Sequence, residues 1–173
     1  DNVKAGAYKL SRPFNIATKG EPTGLAKDFI NFILSKEGQA VVTDNKYIAV
    51  NDAAESFVSD GSSGQIAVGG SSSVSPVMEK LIEAYKSVNP NASIDLQTSD
   101  STSGMTGAMD GTFAIGMASR ELKDEEAAQL TGTAIALDGI AVIVNPANTI
   151  DELSMDQIKS IYVGDITDWG DLA

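Results

Sequence analysis

Short apolar runs in this chain alternate with stretches in which apolar residues recur every three or four positions, a pattern that predicts strands interleaved with amphipathic helices. Residues 12–17 read as a strand. Pro22 and Thr23 then open a helix whose inner face is Leu25, Phe29, Phe32 and Ile33. Gly38 is expected to break it, with a short second helix through Val41 and Val42 and a short strand over 47–50. From residue 51 the apolar rhythm stops. Asp60-Gly61-Ser62-Ser63-Gly64 has the composition of a flexible linker or exposed loop.

The rhythm resumes at residue 65. A strand over 65–68 runs into Gly69-Gly70-Ser71-Ser72-Ser73, and a helix begins near Pro76 with Val77, Leu81, Ile82, Tyr85 and Val88 on one face. Asn89-Pro90-Asn91 ends it. Residues 93–97 alternate polar and apolar as a strand, 99–104 form a loop, and 105–109 a helix. Residues 113–117 read as a buried strand leading to Ser119-Arg120-Glu121, with a charged helix around Glu125. Residues 133–144 form a β-rich segment interrupted at Asp138-Gly139, and Ser154 caps a helix over 154–162. Strand–helix alternation of this kind predicts an α/β fold, a three-layer α/β/α sandwich with a mostly parallel central sheet.

Composition narrows the chemistry. With 173 residues the chain is long enough for one α/β domain and too short for two full ones. Cysteine and histidine are both absent, which excludes disulfides, thiolate catalysis, a Ser-His-Asp triad and His- or Cys-ligated zinc. The formal charge of −12 repels nucleic acid. An anion bound against that field must be held at short range by amide donors, hydroxyls and helix N-termini.

Three hydroxyl-rich loops meet that requirement, each after a predicted strand: Ser71-Ser72-Ser73-Val74, Ser101-Thr102-Ser103-Gly104 and Ala118-Ser119-Arg120. In a parallel sheet all three lie at the carboxyl edge, where ligands of such sheets bind. The candidate anion-binding residues are therefore Ser72, Ser73, Val74, Ser101, Thr102, Ser103, Ser119 and Arg120. Each loop alone is better explained by helix capping, three at one sheet edge bring the two readings level, and Arg120 is equally explained by an ion pair with a neighbouring carboxylate. Asp100 and Asp138 are either proton acceptors or turn residues. Met105, Met109 and Met117 suit a core, Trp169 suits packing, and Glu125-Glu126 suits a solvated helix start. No lysine follows the serine loop, so it is not a nucleotide-binding P-loop.

These residues resemble the phosphate-binding proteins of ABC-type transporters, in the periplasmic-binding-protein family. Residues 66–78 resemble the first phosphate loop and its helix, 97–104 the second loop and 115–122 the third. Residues 161–169 resemble the segment that leaves the first lobe, 8–14 the segment that returns to it, and 29–39 the C-terminal helices. In the family the part like 65–173 comes first, a second lobe follows and the part like 1–50 comes last. The resemblance therefore implies a single lobe, 1–173, in circularly permuted order, with 51–64 as the joining linker. Such an order arises by engineering or by excision from a tandem protein. The chain begins Asp-Asn-Val-Lys without a signal-peptide pattern.

The resemblance implies capture of inorganic phosphate without catalysis or a cofactor, in an extracytoplasmic parent protein that docks on an ABC transporter permease. Loss of the second lobe is expected to weaken binding and to expose a face through which a homodimer forms. Ser72 and Ser73 match the first-loop donors and Ser101 the second-loop hydroxyl. Ser119 stands where many members have an aspartate that accepts the phosphate proton. The alternatives are a structural or folding-model domain with a vestigial site, and a serine hydrolase using Ser72 or Ser73, for which no Gly-x-Ser-x-Gly elbow is present.

Overall fold

Strand β1, Ser11–Thr18, carries Phe14 and Ile16 to one face and Asn15 and Ala17 to the other, and all four are buried. A strand buried on both faces belongs at the centre of a covered sheet. The computed structural model, which describes residues 2–3 and 5–172, places it there. The chain divides into two units, Asp1–Ile140 and Ala141–Ala173, where the sequence reading expects one lobe.

In the first unit β1 is followed by α1 (Gly24–Leu34), α2 (Lys36–Asp44), β2 (Ile48–Ala49), β3 (Gly64–Ser71), α3 (Ser75–Val88) and β4 (Ala92–Ser99). Then come α4 (Ser101–Asp110), β5 (Ile115–Ala118), α5 (Asp124–Ala127) and β6 (Thr131–Gly139). The six strands form one sheet in the order β2-β6-β1-β5-β3-β4. β3 pairs in parallel with β4 and β5, while β1 runs antiparallel to both β5 and β6, and β2 antiparallel to β6. Four strands thus run one way and two the other, and the parallel part is β5-β3-β4.

Two layers of helix cover this sheet. Phe14, Ile16, Val68, Ile115, Met117 and Ile135 face α1 and α3, whose stripes Leu25, Phe29, Phe32, Ile33 and Val77, Met78, Leu81, Tyr85 complete the larger core. On the opposite face Ala17 and Ala118 meet Met105 and Ala108 of α4, with Leu130 beside them. Small residues dominate this second interface, which lets α4 lie close to the strands.

Several helix and strand limits differ from expectation: α4 begins at Ser101, inside the stretch read as a loop, β3 runs on through Ser71, and two further differences have a clear physical cause. Gly38 lies inside α2; the break falls at Ser35, whose hydroxyl accepts the Gly38 N–H at 3.2 Å and starts the second helix. A side chain at 38 would collide with the Phe32 carbonyl, so glycine here serves the close approach of α2 to the end of α1. The expected strand over 133–144 stops at Gly139; residues 141–154 contain β-branched residues but no strand, because no neighbour pairs with them.

The joining linker expected over 51–64 is pinned over 51–63, and Gly64 already opens β3. The Lys36 N–H donates to Glu55 O at 2.8 Å, and the Phe57 N–H to Glu37 Oε2 at 2.7 Å. Phe57 stacks edge-on against Phe32 at 5.2 Å. The anchor is Asp28 on α1, a buried carboxylate 1% exposed. It accepts from the Ser59 hydroxyl at 2.8 Å, the Asp60 N–H at 2.9 Å and the Tyr85 hydroxyl at 2.6 Å. Burial, then the Asp28 bond, pushes the Tyr85 hydroxyl well above its ordinary value, so it remains a donor.

The second unit holds α6, Met155–Val163, and a 3-10 turn over Trp169–Leu172. Ser154 and Gln157 form a capping box at 3.2 and 2.8 Å, as the sequence predicts for Ser154, and Gly164 ends the helix in the left-handed region. None of its described residues is fully buried, and Ile143, Tyr162 and Val163 are among its most exposed apolar side chains. Trp169, read as a packing residue, is 47% exposed. Among the described residues no helix is long and apolar enough to cross a membrane.

Candidate functional site

Parallel pairing brings the carboxyl ends of β3, β4 and β5 to one edge, with Ser71 opposite Ser99 and Gly70 opposite Met117. The three serine-bearing turns leave from those ends and touch one another. The Ser72 N–H donates to Ser99 O at 2.9 Å, joining the first turn to the second. The Ser119 N–H donates to the Ser101 hydroxyl at 3.1 Å, joining the third to the second. Thr98 of β4 donates to the Ser75 hydroxyl at 2.9 Å, fixing the start of α3 against the neighbouring strand.

Two glycines make this convergence possible. Gly70 has φ +134, and a Cβ there would strike the Met117 carbonyl. A Cβ on Gly104 would lie 2.6 Å from the same carbonyl and 2.8 Å from the Gly70 Cα. α4 therefore sits on the sheet backbone to backbone, which brings Ser101 within reach of Ser119.

The eight sequence-selected residues lie together at this edge, but they are not equally available to a ligand. Ser72 is exposed and Ser73 half-buried; among the described residues neither hydroxyl has a partner, and neither does the Ser73 N–H. Ser101 accepts from Ser119 and retains its own hydroxyl proton, and the Ser119 hydroxyl is uncommitted. These groups form a cluster of donors suited to oxyanion oxygens. Val74 is buried with its N–H bonded to Ser71 O at 3.0 Å, so it builds the turn. The amides of Thr102 and Ser103 donate at 2.8 and 3.0 Å to the Asp100 carboxylate, which caps α4, and the Ser103 hydroxyl donates to it at 2.7 Å. Those bonds, the Ser103 hydroxyl first, hold Asp100 below the usual carboxylate range, so it stays ionised. The capping reading thus describes the Thr102 and Ser103 amides at the start of α4, and the Ser101 hydroxyl is the side-chain donor this turn leaves at the edge.

Arg120 forms a two-pronged ion pair with Glu126 at 2.7 and 2.8 Å. Glu126 is 2% exposed, so the expectation of a solvated Glu125-Glu126 pair holds for Glu125 and fails for Glu126. The Arg120 bond holds the Glu126 carboxyl below its ordinary range, and the same bond raises the guanidinium above its own. Asp138 is paired with Arg12, whose Nε and Nη2 each lie 2.9 Å from Asp138 Oδ2. Sequence reading missed Asn15, which donates to the Arg120 carbonyl at 2.9 Å from a buried position in β1. Its signal was an amide side chain inside the apolar run Phe14 to Ala17.

Relatives share this arrangement of elements. A sequence profile described as the PBP superfamily domain matches residues 56–173. The chain belongs to the PBP superfamily. A curated relative from Streptococcus agalactiae serotype V, "Phosphate-binding protein PstS 2", is 51% identical over 174 residues, a match covering 99% of this chain and 59% of the relative. The chain therefore spans less than two thirds of that relative's length. Because the match runs through almost the whole chain, the segment order found here is that of a natural relative. A crystal structure of a phosphate-binding protein of a phosphate ABC transporter from Streptococcus pneumoniae TIGR4 superposes with TM-score 0.95 at 46% identity, covering 100% of this chain and 67% of that one. A putative phosphate ABC transporter substrate-binding protein from Clostridium perfringens, solved with bound phosphate, gives TM-score 0.55 at 44% identity over 63% of this chain and 45% of its own.

Proposed function

We propose that this chain supplies one side of a cage for inorganic phosphate and belongs to the solute-binding component of an ABC phosphate transporter. The reading rests on one observation: the turns after β3, β4 and β5 are tied together by the Ser72–Ser99 and Ser101–Ser119 hydrogen bonds. This gathers the hydroxyls of Ser72, Ser73, Ser101 and Ser119 and the Ser73 amide at a single edge. Relatives that are named for phosphate binding and are 46–51% identical support it. The cluster binds and does not react. Hydroxyl and amide donors contact the oxyanion, and a chain with no histidine offers the serines no imidazole base.

The cage is one-sided here, so water reaches the bound ion and weakens each charge-assisted hydrogen bond. Titration of the isotope-labelled chain with inorganic phosphate is expected to move the amide signals of residues 71–74, 101–104 and 119, with a Kd weaker than about 1 µM. Unmoved signals at high phosphate would overturn the reading in favour of a vestigial site.

For the parent protein we place the site outside the cytoplasm, with docking on a transporter permease. Self-association of this chain follows from the apolar side chains left exposed in 141–172, and sedimentation at low and high salt tests it.

A further inference from the structure

Arg120 carries five guanidinium N–H groups, and the structure accounts for them unevenly. Glu126 Oε2 takes one Nη1–H at 2.7 Å and the Glu121 carbonyl the other at 2.9 Å, while Glu126 Oε1 takes one Nη2–H at 2.8 Å. The second Nη2–H makes a long hydrogen bond of 3.5 Å to the Thr102 hydroxyl, which an oxyanion oxygen can replace, and the Nε–H has no acceptor among the described residues. These two lie side by side on one edge of the planar group, a fork whose spacing matches two oxygens of a tetrahedral oxyanion. The fork sits beside the first turn of α4, next to the Ser101–Ser119 contact.

The guanidinium is fixed from several sides. Glu126 itself is held by the Lys123 N–H at 2.8 Å, and buried Asn15 holds the Arg120 carbonyl. We propose that Arg120 presents this fork to the bound oxyanion, which takes the place of the Thr102 hydroxyl on Nη2, and that Glu126, without touching the ligand, is the positioning residue that aims it. The proposal rests on the phosphate reading above and adds a residue that the serine cluster does not contain. It also sets a requirement for geometry over charge: arginine is needed at 120, and lysine, equally cationic, lacks the fork.

The test is a double-mutant cycle on the full chain, with phosphate affinity read by calorimetry or amide shifts and folding checked by circular dichroism. Removing a negative charge favours anion binding by charge alone, so Glu126→Gln separates the two roles. Positioning predicts binding weakened about three- to tenfold in Glu126→Gln and about tenfold in Arg120→Lys. In the Arg120→Lys background, Glu126→Gln should weaken binding no further. Glu126→Gln that binds as tightly as wild type, or tighter, overturns the proposal, as does an equal loss in both backgrounds. Should Glu126→Gln fail to fold, Arg120→Lys, which keeps a cation opposite Glu126, decides: wild-type affinity in that variant overturns the fork. Absence of phosphate shifts in the wild type removes the phosphate reading and this proposal together, whereas wild-type binding with an indifferent Glu126→Gln removes only the latter.

Discussion

Single atoms decide whether the three turns meet. The contact between Gly70 and Gly104 leaves no room for a methyl group, and the Met117 carbonyl blocks the space from below. Gly104→Ala is therefore expected to push α4 off the sheet, costing about 2 kcal/mol of stability by overpacking. The urea midpoint should fall accordingly, and phosphate binding should weaken because Ser101 is carried away from the Ser119 amide. An unchanged midpoint would show that the turns tolerate a wider spacing. The same scale explains what the sequence hid. Serine turns after strands were legible because hydroxyls before helices are a local signal. That the Thr102 and Ser103 amides were already taken was not legible, since it depends on the extended backbone at Asp100 that turns its carboxylate back onto them. Glu126 and Asn15 escaped for a different reason: what gives each its role is the site at Arg120, and Asn15 lies in a strand far away in the sequence.

At the level of elements, apolar periodicity located nearly every strand and helix of the first unit, because those elements are built around buried stripes. It failed where tertiary contact overrode composition. Gly38 reads as a helix breaker until α1 is seen to end against it, and residues 51–64 read as a tether until Asp28 is seen to hold Ser59 and Asp60 within them. Asp28 joins α1, α3 and the connecting segment at the start of β3, the sheet edge opposite the serine turns. Asp28→Asn replaces one acceptor oxygen by a donor amide facing donors, which is expected to cost about 2 kcal/mol. Amide exchange at Asp60 should accelerate while phosphate affinity changes less than about twofold. A variant with normal Asp60 protection would show that Phe57 packing alone fixes the segment.

The molecule as a whole is set by charge and by uneven burial. A formal charge of −12 keeps copies apart at low ionic strength, while exposed Ile143, Tyr162 and Val163 favour association once that repulsion is screened. Sedimentation is expected to give monomer at about 10 mM salt, where the screening length is about 30 Å, and a growing dimer fraction near 1 M, where it is about 3 Å. Monomer throughout would show that this apolar surface is too dispersed to hold a second copy.

The central place of β1 has a consequence for how the chain is made. During synthesis β1 leaves the ribosome well ahead of β5 and β6, the two strands it must join, and roughly 100 residues separate it from them. At about 5–20 residues per second the nascent strand waits on the order of 5–20 seconds, with Phe14 and Ile16 still in water. Half-made chains are thus the form most open to chaperones and to misassembly, and the edge that carries the serine turns gains its β1–β5 pairing only once that wait is over.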